Sequence, residues 1–187
     1  MTESEIAPEM IERTGEAYEF GMKLTVIGAK LTTGMKAPAF TLDTLTADGG
    51  AIEEVSLSET TGRIRLLNVV NSLDTPVCHV ETRRWDAQLA TSTEDLLLYT
   101  ISMDLPFAQG RWRSAEGTTH TLLSGHRSVS FGRDYGVLIK EWRMLQRAVF
   151  VIDRDGTLAH VEYVADQMTE PDYEAALAVV ERLGSEK

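Results

Sequence analysis

The chain has 187 residues, 43% hydrophobic and 25% charged, enough apolar material for one globular domain with a sizeable core and too little for two. Eighteen Lys and Arg stand against 29 Asp and Glu, a formal charge of -11, which repels phosphate backbones and anionic membranes and argues against nucleic-acid and membrane partners. The first twenty residues carry six Glu against Arg13 and no apolar stretch, unlike a signal peptide or a spanning helix, so the expectation is a cytoplasmic protein.

Residues 1–16 are acidic and aperiodic and read as an N-terminal extension, leaving 17–187 as the single domain. Tyr18 to Phe20 and Leu24 to Ile27 flank Gly21-Met22, a pattern that predicts a β-hairpin because glycine accepts the positive φ of a tight turn. Ala39 to Leu42 and Ile52 to Leu57 continue in β character, broken by Asp48-Gly49-Gly50. The apolar run Leu66-Leu67-Asn68-Val69-Val70 then suits a strand buried on both faces.

A helix is predicted next, with Thr75 as N-cap, Pro76 in the first helical position, and Thr82, Trp85 and Leu89 on one face. A second buried strand spans Leu96 to Ser102. Short helices follow from Pro106 to about Arg113 and from Ser128 to Tyr135, the latter ended by Gly136. Arg147 to Ile152 and Thr157 to Val164 bracket the hairpin signal Asp153-Arg154-Asp155-Gly156. A last helix starts near Pro171, with Gly184 just past its end. Strands alternating with helices, plus a late antiparallel hairpin, imply an α/β fold with a mixed sheet flanked by helices.

The sequence contains one cysteine, Cys78. No intrachain disulfide, Cys-x-x-Cys pair or multi-thiolate zinc cage can be built from it. His79, His120, His126 and His160 lack metal-ligand spacing, so no metal site is expected. Cys78 falls in the first turn of the helix after a buried strand, where free N–H groups and the helix dipole stabilise an anion. It also shares a face with Thr82 and Trp85, as a small buried filler would, and from position alone the filler is the commoner case. At this point the residues leave function open.

Two segments carry a resemblance. Ser102-Met103-Asp104-Leu105-Pro106-Phe107-Ala108-Gln109-Gly110-Arg111-Trp112 resembles the signature of the bacterial thiol peroxidases, a branch of the peroxiredoxins, and Asn71-Ser72-Leu73-Asp74-Thr75-Pro76-Val77-Cys78 is similar to their active-site motif Pro-x-x-x-Thr-x-x-Cys. Leu145-Gln146-Arg147-Ala148-Val149 and Thr169 to Leu177 match at two further points. The resemblance implies a thioredoxin-like fold with an N-terminal hairpin, a homodimer, no cofactor, and thiol-dependent reduction of hydrogen peroxide and organic hydroperoxides. It makes Cys78 the nucleophile, Thr75 the residue that positions the peroxide, and Arg147 the cation that stabilises developing charge.

Two positions depart from the pattern. Asn71 replaces the family's proline, and its amide could hydrate the pocket or donate to the substrate. Arg113 occupies the place of the resolving cysteine, so a Cys78 sulfenic acid needs an external thiol such as thioredoxin, glutaredoxin or glutathione; a guanidinium there could attract an anionic reductant. Arg111-Trp112 reads as a surface stack, Asp104 as a helix cap and Glu116 as part of a solvated face. The alternative function is a peroxide sensor without turnover, or a degenerate member kept as a binding scaffold.

Overall fold

The structure, a computed structural model, describes residues 11–89 and 95–186. β1 (Glu12–Glu19) and β2 (Met22–Ile27) pair antiparallel. They turn through Phe20 and Gly21, both at positive φ, the geometry that matches a two-residue turn to the twist of its strands. Pairing starts at Glu12, so Glu12 to Glu16 of the expected extension belong to this hairpin; residues 1–10 lie outside the described residues. Arg13 holds the strand in place, donating through Nε to Gly28 O (2.8 Å) and through Nη2 to Gly136 O (2.5 Å). Backbone pairing and one half-buried guanidinium thus order a segment whose side-chain pattern carries no strand signal.

After the hairpin come β3 (Thr41–Leu45), β4 (Ile52–Ser56), β5 (Ile64–Val69), α1 (Pro76–Leu89), β6 (Leu96–Ser102) and α2 (Pro106–Glu116). The chain continues through β7 (Thr121–Ser124), α3 (Ser130–Asp134), β8 (Leu138–Ile139), β9 (Met144–Leu145), β10 (Ala148–Ile152), β11 (Leu158–Tyr163) and α4 (Tyr173–Ser185). Seven strands form one sheet in the order β11-β10-β5-β6-β7-β3-β4, parallel at β5-β6-β7 and antiparallel elsewhere. β1-β2-β8-β9 form a second sheet. The mixed sheet and the hairpin match the expected α/β architecture. β7, β8 and β9 had no sequence signal because two to four residues are too few to show a period.

β5 is buried along its whole length. Ile64 and Leu66 pack with Trp85 of α1 and with Tyr173, Ala176, Val180 and Leu183 of α4. Leu67 and Val69 face the opposite way, into Phe40, Tyr99, Ile101, Phe131, Tyr135 and Phe150. Burial of each such side chain is worth about 1.5–3 kcal/mol, which makes β5 the element that both layers hold in position. α4 is capped by Asp172, whose carboxylate accepts from Ala175 N (3.0 Å). It runs through Gly184 to Ser185 rather than stopping before the glycine, because Leu183 is buried and anchors the last turn. Gly136, at φ 62°, ends α3 where a Cβ would sit 2.2 Å from Ala29 O, so only glycine lets the two segments approach. Among the described residues no helix is long and apolar enough to cross a membrane.

Candidate active site

β5 ends at Val69 and α1 begins at Pro76, so the loop between them sets where α1 presents its first turn. Asp104, just past the end of β6, shapes that loop. Its Oδ1 accepts from Ser72 Oγ (2.8 Å), and its Oδ2 accepts from Leu73 N (2.9 Å) and Ser102 Oγ (2.8 Å). Such charge-assisted bonds are roughly twice as strong as neutral ones. The N-cap of α2 is Leu105, with no side-chain cap bond; the expected helix-cap role of Asp104 is replaced by this clamp on the loop.

Cys78 has no solvent exposure and packs with Val70, Leu73, Trp112 and Leu122. Trp112 is therefore no surface stack: it is 7% exposed, and its Nε1 donates to His79 Nδ1 (3.2 Å). His79 Nε2 lies 3.6 Å from Glu116, which also pairs with Arg83 (3.4 Å). Both His79 nitrogens thus face partners other than Cys78. Arg111 is exposed.

On the other side of the thiol, Asn71 is locked. Its Nδ2 donates to Leu145 O (2.5 Å) and to Gln167 Oε1 (3.1 Å), leaving Oδ1 to accept from Cys78 Sγ at 3.9 Å. A flipped amide would set an oxygen against two acceptors, so the network fixes the orientation. Of the two roles open to this amide in the sequence, donation to a substrate finds its N–H groups already engaged, and the oxygen faces the sulfur. Gln167 Oε1 also accepts from Arg147 N (2.9 Å), which joins Asn71 and Arg147 through one residue.

Arg147 has no solvent exposure. It pairs with the equally buried Glu81 and donates through Nη2 to Gln167 O (2.8 Å), while its Nε and Glu81 Oε1 have no hydrogen-bond partner. Glu81 lies one turn after Cys78 on α1, and residues at this spacing are neighbours on a helix surface. The guanidinium is thereby anchored to the helix that carries the thiol, with one donor still free.

Thr75 is half-buried, and its Oγ1 donates to Ser72 O (2.9 Å), leaving its lone pairs as acceptors. Arg113 is turned away from the loop: Nη2 donates to Leu45 O (3.3 Å) and Thr46 O (3.2 Å) at the end of β3. Elsewhere, Asp86 Oδ1, His120 Nδ1, His120 Nε2 and Thr100 Oγ1 follow one another at 2.7 and 2.9 Å, in the order of a hydrolase triad. Thr100 is 1% exposed and also accepts from Asn68 Nδ2 (3.1 Å), so this chain ties α1 to the sheet and offers no reachable nucleophile.

Sequence reasoning named Cys78, Thr75, Asn71 and Arg147 but missed Glu81, Gln167 and the loop-clamping role of Asp104. Glu81 had one available signal, an acid one turn beyond the cysteine on an otherwise buried face. Gln167 had none.

A redoxin family model matches residues 32–177. The chain is 43% identical over 164 residues to a thiol peroxidase of Streptococcus pneumoniae, covering 87% of this chain and 97% of that protein. It is 40% identical over 164 residues to a thiol peroxidase of Bacillus subtilis, covering 87% and 95%. Among solved structures, a peroxiredoxin-like protein from Aquifex aeolicus superposes with a TM-score of 0.81 at 32% identity, over 93% of this chain and 98% of that one. A family match across most of the chain, on a sheet that presents Cys78 at the head of α1, shows that the chain belongs to the thiol peroxidases of the redoxin family.

Proposed function

We propose that Cys78 is the peroxidatic thiol of a thiol-dependent peroxidase acting on hydrogen peroxide and organic hydroperoxides. The observation that supports this most is a lone thiol, fully buried at the head of a helix whose next turn carries Glu81, itself paired with a buried Arg147 guanidinium that keeps one donor unpartnered. As thiolate, Cys78 attacks the terminal peroxide oxygen. The S–O bond forms as the O–O bond breaks, and the leaving oxygen departs with the electron pair and takes up a proton as water or alcohol. Arg147 offsets the charge that develops on that oxygen, and Thr75 orients the peroxide. Asn71 acts here as a positioning residue, because its bond to the thiol must break before attack.

The resulting sulfenic acid has no second cysteine in this sequence to condense with. An external thiol forms a mixed disulfide with Cys78 and releases water; a second thiol then restores the Cys78 thiol and leaves as the oxidised disulfide. The external thiol is thioredoxin, glutaredoxin or glutathione. Because Cys78 has no exposure, this step requires the first turn of α1 to open, and the Asp104 clamp sets its cost. Exposed Val80, Leu105 and Phe107 beside this region support the homodimer that the resemblance implies. A cytoplasmic setting, as expected from the sequence, would be rich in such reducing thiols.

Intact-mass spectrometry of the reduced protein, mixed briefly with one equivalent of cumene hydroperoxide and a sulfenic-acid trap, tests the reading. Trapping in wild type and none in Cys78→Ser supports it. A Cys78 that stays reduced, with no turnover for any thiol donor, overturns it in favour of a binding scaffold; oxidation without turnover would instead identify a sensor.

A further inference from the structure

Arg65, in β5, is 2% exposed, yet it forms no ion pair among the described residues. Its Nη1 donates to the Arg63 carbonyl and its Nε has no partner. A guanidinium keeps its charge at all physiological pH values, and a buried charge without a counter-ion is expensive. Burial lowers its pKa from the ordinary value, opposed by electrostatic interaction with Tyr135, Tyr99, Asp153 and Asp155.

The side chain lines a cavity of about 190 Å³ between the turn after β4 and the β10–β11 turn. Ala37, Ala39, Leu57 and Gly156 give it apolar walls, and Ser58 and Thr61 add hydroxyls. Asp155 stands at the rim, but Lys36 Nζ (3.0 Å) and Thr157 Oγ1 (3.0 Å) already occupy its Oδ2. The cavity is at the opposite end of β5 from Asn71, about 20 Å away at the rise of an extended strand.

We propose that this cavity is a binding site for a small monocarboxylate with an apolar body, whose carboxylate takes the free donors of Arg65. The apolar walls accept the ring or chain. The single Arg65 guanidinium balances one negative charge, so ligands of higher charge, such as phosphate dianion or nucleotides, would bring uncompensated charge against the apolar walls. This site is separate from the peroxide site and uses none of its residues.

Benzoate is the probe, with benzamide as its neutral counterpart and inorganic phosphate as the small polyanion. For the full-length protein, calorimetry should give a benzoate Kd of about 0.1–1 mM, a range set by few ligand atoms and one buried cation. The Tm should rise by about 3–5 °C at roughly ten times that Kd. Benzamide and phosphate should each bind at least about tenfold more weakly. Arg65→Met should lose the benzoate response and, without ligand, melt no lower than wild type, because it removes an uncompensated charge while keeping the stem. Arg65→Lys, the milder change, should weaken benzoate binding several-fold and keeps the test alive if the Met variant does not fold. Benzoate-induced amide shifts should centre on Ala37, Thr61 and Gly156. No response of wild type to benzoate, an equal response to benzamide, or an undiminished response in both variants would overturn the site.

Discussion

Glu81 and Arg147 form an ion pair in which neither side chain has appreciable exposure, joining α1 to the start of β10. Removing one partner of such a pair leaves a buried charge with nothing to balance it. Glu81→Ala should therefore cost about 3–5 kcal/mol of unfolding free energy, read from urea midpoints. It should also slow Cys78 oxidation, since it frees the guanidinium from the helix that carries the thiol. A variant as stable and as fast as wild type would show that Glu81 does not hold Arg147.

Asp104 satisfies Leu73 N, Ser72 Oγ and Ser102 Oγ together. Asp104→Ala should leave these groups unpartnered, at a cost of about 1–3 kcal/mol for the loop. Hydrogen exchange at Leu73 should accelerate, and alkylation of the buried Cys78 by iodoacetamide should speed up in step. Unchanged protection at Leu73 would mean that the loop is held by its packing alone.

Asn71→Pro removes the amide oxygen that faces Cys78 and the two bonds from Nδ2. The oxidation rate should rise about threefold to tenfold, the kinetic equivalent of about 1 kcal/mol of released ground-state hydrogen bonding. Stability should fall by about 1–3 kcal/mol, because Leu145 O loses a donor. Trp112 packs in the same cluster as Cys78, so stopped-flow fluorescence reports the step directly. Trp112→Phe should abolish most of that signal. An unchanged or slower rate in Asn71→Pro would remove Asn71 from the account.

The pH dependence of stability should fall away at both ends. The Asp86 carboxylate is held well below its usual pKa, first by the hydrogen bond from His120 and then by the Thr119 N–H. A depressed folded pKa contributes stability above the unfolded value, near pH 4, that is lost as pH falls below it. Asp86→Asn should flatten the acid limb. Burial pushes the Tyr135 and Tyr173 phenols well above their ordinary value, and for Tyr173 the neighbouring Glu170 adds to it. A raised folded pKa contributes stability that is complete below about pH 10 and declines as pH rises beyond it. Tyr173→Phe should make the alkaline limb shallower in a denaturant series run from pH 8 to about 11. Limbs of unchanged slope in these variants would place the titrating groups elsewhere.

Much of the site was legible in the sequence because its parts are local. A buried apolar run, a short loop and a proline at the first helical position place Cys78 at the head of a helix, and the structure has β5, that loop and α1 in this order. The motifs around Thr75-Pro76-Val77-Cys78 and Leu105-Pro106-Phe107 are contiguous, so one chain suffices to recognise the family. Hydrophobic period and turn chemistry act over a few residues, and they determined the order of the longer elements, the mixed sheet and the lone thiol's address.

The tertiary structure alone decided what surrounds that thiol. Ser72 and Asp104 are 32 positions apart, Glu81 and Arg147 66, and Asn71 and Gln167 96. Polar pairs at such separations follow no period, and their energies depend on angstrom-scale geometry set by the packing of β5 between two layers. The same reason explains Arg113, which occupies the place of a redox residue in the sequence and instead binds two carbonyls at the end of β3. It also explains Arg65, an ordinary charged residue in the linear pattern whose burial without a counter-ion emerges only when the sheet closes over it.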